Sequence, residues 1–156
     1  MTNLSPNFTF EELTHTDHRE LDNDPTDHEK CIIDGKEVSV NAVANLTRLA
    51  NFLEQLKTVL GGKPIMVNSA FRSKAVNDAV GSKDTSQHRI GCAADIRVPG
   101  MTPDEVVKAV IASKIGYDQV IREFDRWTHI SVPNTSGDSP RRQALIIDKT
   151  GTRAYA

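Results

Sequence analysis

The sequence predicts an α+β fold, a small, mostly antiparallel sheet flanked by helices. Two observations carry this. Apolar residues recur at helical spacing in two well-capped stretches, around residues 41–60 and 100–113. Between and after them lie short β-rich runs separated by turn residues, the pattern of hairpins rather than of parallel crossover units. No repeat, linker or low-complexity tract interrupts the 156 residues, so residues 1–156 are expected to form a single domain.

The elements follow in order. Thr9 and Glu12 make a capping box at the start of a short helix, with Phe8 placed to staple onto Leu13. Residues 14–29 are rich in Asp, His, Thr and Asn and predict a loop, ordered by packing near a site. Asp34-Gly35 predicts a turn joining two short strands, Cys31–Ile33 and Glu37–Val40. Asn41 or Ser39 caps the next helix, whose Leu46, Leu49, Leu53, Leu56 and Leu60 form one stripe for a core. Gly61-Gly62 ends it. Pro64–Ser69 is an apolar run suited to a buried strand, and Arg72 follows at its end. Ser73 caps a short helix closed by Gly81. Thr102, Pro103 and Glu105 open the second long helix, with Val106, Val107, Val110 and Ile111 as its inner face. Tyr117–Phe124 and Trp127–Val132 predict a hairpin turning at Asp125-Arg126. Pro133–Pro140 is a polar loop suited to the border of a cleft, and Gln143–Ile147 with Thr152–Tyr155 predicts a last hairpin.

Composition excludes several classes. The net charge of −2, with 26% charged residues, gives no basic surface for nucleic acid or anionic lipid. No apolar run is long enough to insert in a membrane. The first residues lack the basic and apolar regions of a signal peptide, so the chain is expected in the cytoplasm as synthesised. Cys31 and Cys92 form no framework and are expected as free thiols.

The chemistry concentrates in Ser86–Val98. Ala94, Ile96 and Val98 share one face of a predicted strand, and Asp95 and Arg97 the other. A carboxylate on a core strand is costly unless an arginine or a metal compensates it. His88 precedes Gly91, where the chain can turn and bring the imidazole back over Asp95. Nitrogen and carboxylate donors together suit zinc, which in catalytic sites takes three protein ligands and keeps one position open. His129, alternating with Thr128 and Ile130 in its own strand, is the best third donor. His15, His18 and His28 lie in the polar segment and are expected at the surface. Composition leaves an alternative for the central three: two satisfied core histidines and a salt-bridged aspartate.

Ser86-Gln87-His88-Arg89-Ile90-Gly91-Cys92-Ala93-Ala94-Asp95 resembles the S-x-H-x-x-G-x-A-x-D motif of the M15 zinc peptidases. Ser69-Ala70-Phe71-Arg72-Ser73 is similar to the segment that precedes it in that family, with Ala70 where glycine is usual, and Trp127-Thr128-His129 resembles the closing W-x-H. The family comprises D-alanyl-D-alanine carboxypeptidases and dipeptidases and phage endolysins. The resemblance implies a fold shared with hedgehog signalling domains, a Zn2+ cofactor on His88, Asp95 and His129, and the peptidoglycan stem peptide as substrate.

A zinc peptidase also needs a base for the attacking water. Glu123 and Asp125 are the candidates. A hairpin loop of odd length puts Glu123 on the face of His129, but sequence does not fix that register. The resemblance favours Glu123, through Gln119-Val120-Ile121-Arg122-Glu123, although other branches carry the acid where this chain has Arg126. The resemblance also gives Arg72 a role, either stabilising charge on the carbonyl oxygen or gripping a substrate carboxylate. Ser86 and Gln87 are read as contacts to substrate or as supports of the site. The function expected is hydrolysis of a stem-peptide amide bond, as D,D-carboxypeptidase or endopeptidase, in a phage or prophage lysin. The rival is a non-catalytic zinc-binding module, such as a phage structural component.

Overall fold

Leu46, Leu49, Leu53 and Leu56 are wholly buried along one side of an 18-residue helix, and they organise the core. A computed structural model describes residues 2–26, 30–33 and 35–155. His28 and Asp34 lie outside the described residues. The chain runs β1 (Asn3–Ser5), β2 (Phe8–Thr9), α1 (Phe10–Leu13), β3 (Lys30–Ile33), β4 (Lys36–Ser39), α2 (Ala42–Val59), β5 (Met66–Ser69) and α3 (Lys74–Ala79). A 3-10 turn at Gln87–Ile90 leads into β6 (Ala93–Arg97), α4 (Pro103–Ala112), β7 (Gln119–Glu123), β8 (Trp127–Ser131), β9 (Gln143–Asp148) and β10 (Gly151–Ala154). This is the α+β architecture that the sequence predicts.

The helix ends obey local rules. Thr9 and Thr102 both complete capping boxes, with Glu12 and Glu105, and Asn41 rather than Ser39 caps α2. Beyond α2, the amide of Gly62 donates to Lys57 O and that of Gly61 to Thr58 O. This Schellman arrangement needs the left-handed backbone that Gly61 adopts at φ 74°.

Six strands form the main sheet in the order β10-β9-β7-β8-β6-β5. Every pairing in it is antiparallel except β7 with β9, which is parallel. Alternation then divides the side chains. Ala94, Ile96, Val120 and Ile130 pack into the hydrophobic core with residues of α2 and α4. Asp95, His129 and Glu123 lie on the opposite face. The strand β5 closes one edge of the sheet instead of running through its centre, and Met66 is 49% exposed. A register shift between Val67 and Ser69 marks the same edge. Ile111 is 38% exposed, because three valines already fill the inner face of α4. The small hairpin β1-β2 was not expected from sequence; Ser5 and Asn7 fasten it to Glu54 on α2. Among the described residues no helix is long and apolar enough to cross a membrane.

Gly91 ends the 3-10 turn at φ 77°, and a Cβ there would meet Ala42 O at 2.9 Å and Leu46 Cγ at 3.1 Å. Both the backbone conformation and the space demand glycine. Gly91→Ala is expected to destabilise the fold by about 1–3 kcal/mol. Thermal unfolding of the two proteins measures this, and an unchanged midpoint would contradict it.

Candidate metal centre

Two backbone features deliver the donors. Strand pairing sets Asp95 directly opposite His129, and Ser69 opposite Asp95 on its other side. The 3-10 turn then folds His88 back over the same spot. Ser86 caps that turn, its Oγ accepting from the His88 amide at 3.2 Å. Gln87 anchors it, its amide nitrogen donating to Asp118 Oδ2, Val132 O and Asn134 Oδ1 at 2.8–3.1 Å. The sequence leaves these two residues as either substrate contacts or supports of the site, and in the structure they hydrogen-bond within the protein.

His88 Nδ1 lies 2.6 Å from Ala70 O. A carbonyl only accepts, so Nδ1 carries the proton and Nε2 is left with its lone pair directed into the site. His88 Nε2 is 3.4 Å from Asp95 Oδ1, and His129 Nδ1 is 3.2 Å from the same oxygen. The three donors all lie within 4.8 Å of one another and are buried. A tetrahedral zinc with bonds of about 2.0–2.1 Å would set neighbouring donors about 3.3–3.4 Å apart. The spacing around Asp95 Oδ1 matches that edge, so two imidazoles and one carboxylate fit zinc with a fourth position to spare.

The electrostatics suit a cation. Burial holds the His88 imidazole below its ordinary pKa, against the pull of Asp95, which favours the neutral ligand form. Burial alone would raise the Asp95 carboxyl, but the facing imidazoles of His88 and His129 more than offset it and hold the group below the ordinary aspartate range. Arg72 completes this. Its Nη2 donates to Asp95 Oδ2 at 3.1 Å, while Nε and Nη1 reach Ser69 Oγ and Asn77 Oδ1 at 3.3 and 3.4 Å. The two compensations considered for Asp95, an arginine and a metal, are therefore not exclusive: one oxygen serves each.

Glu123 stands one step away on the same face. Ile121 pairs with His129 and Glu123 with Trp127, across a loop of three residues, 124–126. Phe124 and Asp125 make that short loop possible by adopting left-handed backbone, φ 54° and 52°. Burial, then the charge of Asp95, lifts the Glu123 carboxyl above the ordinary glutamate range. The Trp127 indole N–H donates to its Oε2 at 3.0 Å. Asp125 is different: its side chain is 72% exposed and paired with Arg122, which also reaches Asp104 on α4.

The loop after α1 closes the other side. Asn23 accepts from the Ser73 amide at 2.7 Å and donates to Thr14 O and Phe71 O, holding the loop against the segment that carries Arg72. His15 and Asp17 thereby line a cleft with Asn68, Arg97, Arg126 and Trp127. His15 is exposed, as the sequence predicts, while Arg97 and Arg126 have no role in the sequence reading. The signal for Arg97 was available, since it shares the strand face of Asp95.

A buried nitrogen–oxygen donor set that could hold a metal, with a carboxylate of raised pKa on the same sheet face, is an arrangement suited to a metallopeptidase. The comparison with known proteins narrows this. The model of the family described as Peptidase M15 matches residues 7–131, and the chain belongs to that family. A relative is the zinc D-Ala-D-Ala carboxypeptidase of Streptomyces albus G, 39% identical over 62 residues. That match covers 40% of this chain and 24% of the relative, so the chain spans only about a quarter of that protein's length.

Proposed function

We propose that this chain hydrolyses an amide bond in the stem peptide of bacterial peptidoglycan, with one zinc ion held by His88, Asp95 and His129. As a finer reading we propose a D,D-carboxypeptidase or endopeptidase serving as a phage or prophage lysin, made in the cytoplasm and acting on the wall after release through a membrane hole. The observation that carries the peptidase reading is the buried His88–Asp95–His129 cluster with Glu123 on the same sheet face. The name of the Streptomyces relative supports both zinc and the substrate class.

Zinc, when bound, supplies a Lewis acid that polarises the scissile carbonyl and lowers the pKa of water. The side chains do the rest. Glu123 accepts the proton of the attacking water and returns it to the leaving amine. Arg72 holds Asp95 in place and offers its charge to the developing oxyanion or to a substrate carboxylate. Ser86 and Gln87 keep the His88 turn in register at the substrate side of the site. A purely structural zinc is closed by four protein ligands. Three donors rather than four, with an elevated carboxylate on the same sheet face, favour catalysis over that reading.

The test is incubation of the purified protein with peptidoglycan, with and without a chelator, followed by mass spectrometry of the soluble products. Released fragments identify the bond. Release should cease with the chelator and return with added zinc. No release at saturating zinc would reject the peptidase reading.

A further inference from the structure

The arginines of this chain are mostly spoken for. Arg72, Arg89, Arg122, Arg141 and Arg153 are each held by a carboxylate. Two that line the cleft beside the metal centre are not. Arg97 is exposed and its Nε donates only to the neutral Asn68 Oδ1, at 3.3 Å. Arg126 is exposed and its guanidinium has no hydrogen bond or ion pair among the described residues. The acid that shares this cleft, Asp17, pairs with His15 at 3.3 Å. Two arginines that no carboxylate holds thus face one cleft of about 630 Å3 in a chain of net charge −2.

Strand register places them relative to the chemistry. Asp95 opposes His129, and Ile96 opposes Thr128, so the next position sets Arg97 against Trp127 on the metal-bearing face. Trp127 in turn opposes Glu123. Arg97, Trp127 and Glu123 therefore form a row one strand step, about 6–7 Å, from the row of Asp95 and His129. Arg126 sits at the end of the hairpin, next to Trp127. A guanidinium pair there offers planar forks for a carboxylate, in a cleft that Trp127 also lines.

We propose that Arg97 and Arg126 form a carboxylate-binding subsite, so that the preferred substrate is a peptide with a free carboxylate within about two residues of the scissile bond. This rests on the peptidase reading above. The subsite would be distinct from Arg72, whose guanidinium is engaged by Asp95, and it would select among stem peptides by whether that carboxyl group is free or amidated.

The experiment uses two synthetic peptides, identical except for a carboxylate or a carboxamide at that position. The zinc-loaded protein should favour the carboxylate form in kcat/KM by about tenfold or more, a preference that shrinks with added salt. In the R97Q/R126Q variant the ratio should fall toward one at unchanged zinc content, and R97K/R126K should recover part of it. Equal cleavage of both peptides by the unaltered protein, or a preference that survives in R97Q/R126Q, would overturn the subsite while leaving the peptidase reading intact. Cleavage of neither peptide would instead count against that reading. The subsite is then judged by binding, because Trp127 is the only tryptophan and its fluorescence reports on the cleft. Saturable quenching by the carboxylate peptide alone supports the subsite, and equal or absent responses reject it.

Discussion

Glu123→Gln is expected to lower turnover by about two to four orders of magnitude while zinc stays bound, because glutamine keeps the shape of the side chain but accepts no proton. Glu123 is not among the three donors, so metal content should equal that of the unaltered protein. The measurement is kcat on a defined stem peptide together with zinc analysis of the same samples. Retained turnover in Glu123→Gln with loss in Asp125→Asn would transfer the role to Asp125. Loss of zinc in Glu123→Gln would mean that the glutamate supports the metal rather than the proton. The pH profile adds a second check. Only the ionised carboxylate acts as base, and burial together with Asp95 pushes Glu123 toward the protonated form. Turnover should therefore fall on the acid side, beginning above the ordinary glutamate range of about 4.3, and the residual rate of the glutamine variant should lack that limb.

Arg72→Lys should be nearly as damaging as Arg72→Ala, with either costing on the order of 3 kcal/mol of transition-state stabilisation, roughly a hundredfold in rate. The guanidinium divides itself among Asp95, Ser69 and Asn77. A lysine ammonium is a compact charge that cannot span the three acceptors in one plane. The alanine variant should separate two effects. Without metal it leaves Asp95 buried with its cation removed, a loss of about 3–5 kcal/mol for a buried pair. Added zinc should restore part of that stability, but not the rate. Thermal unfolding with and without zinc, set beside kcat and KM, measures both. Recovery by lysine to within a few-fold of the unaltered protein would reject the geometric argument. A change confined to KM would assign Arg72 to substrate binding.

These tests concern residues that were visible in the sequence, and the reason is their range. The capping boxes at Thr9 and Thr102 and the leucine stripe of α2 are set by neighbours within a few positions, and the structure reproduces them. The meeting of His88, Asp95 and His129 was legible because His88 and Asp95 share one short segment and His129 alternates within a strand. What sequence left open depended on pairing. Whether Glu123 faces the metal turns on the length of one loop, and that length followed only once Phe124 and Asp125 were seen in left-handed backbone, which neither residue type advertises. The cleft around Arg97 and Arg126 draws on the loop of His15, far away in the chain, and no local pattern announces such a meeting. The burial expected of β5 fails for a similar reason. Its apolar composition speaks for burial, whereas its place in the sheet is decided by which strands find it.

The parallel pairing of β7 with β9 bears on where this molecule can be cut. The match to the family ends at residue 131, the last of β8, so a truncation guided by that match would stop there. It would remove β9 and β10, including the carbonyl of Ile147 that receives the Phe124 amide at 2.8 Å. The strand bearing Glu123 would then present bare amides and carbonyls along its whole outer side, an invitation to pair with another copy. A shortened protein of that kind could keep His88, Asp95 and His129 and still be lost to self-association, for want of a segment that supplies none of them.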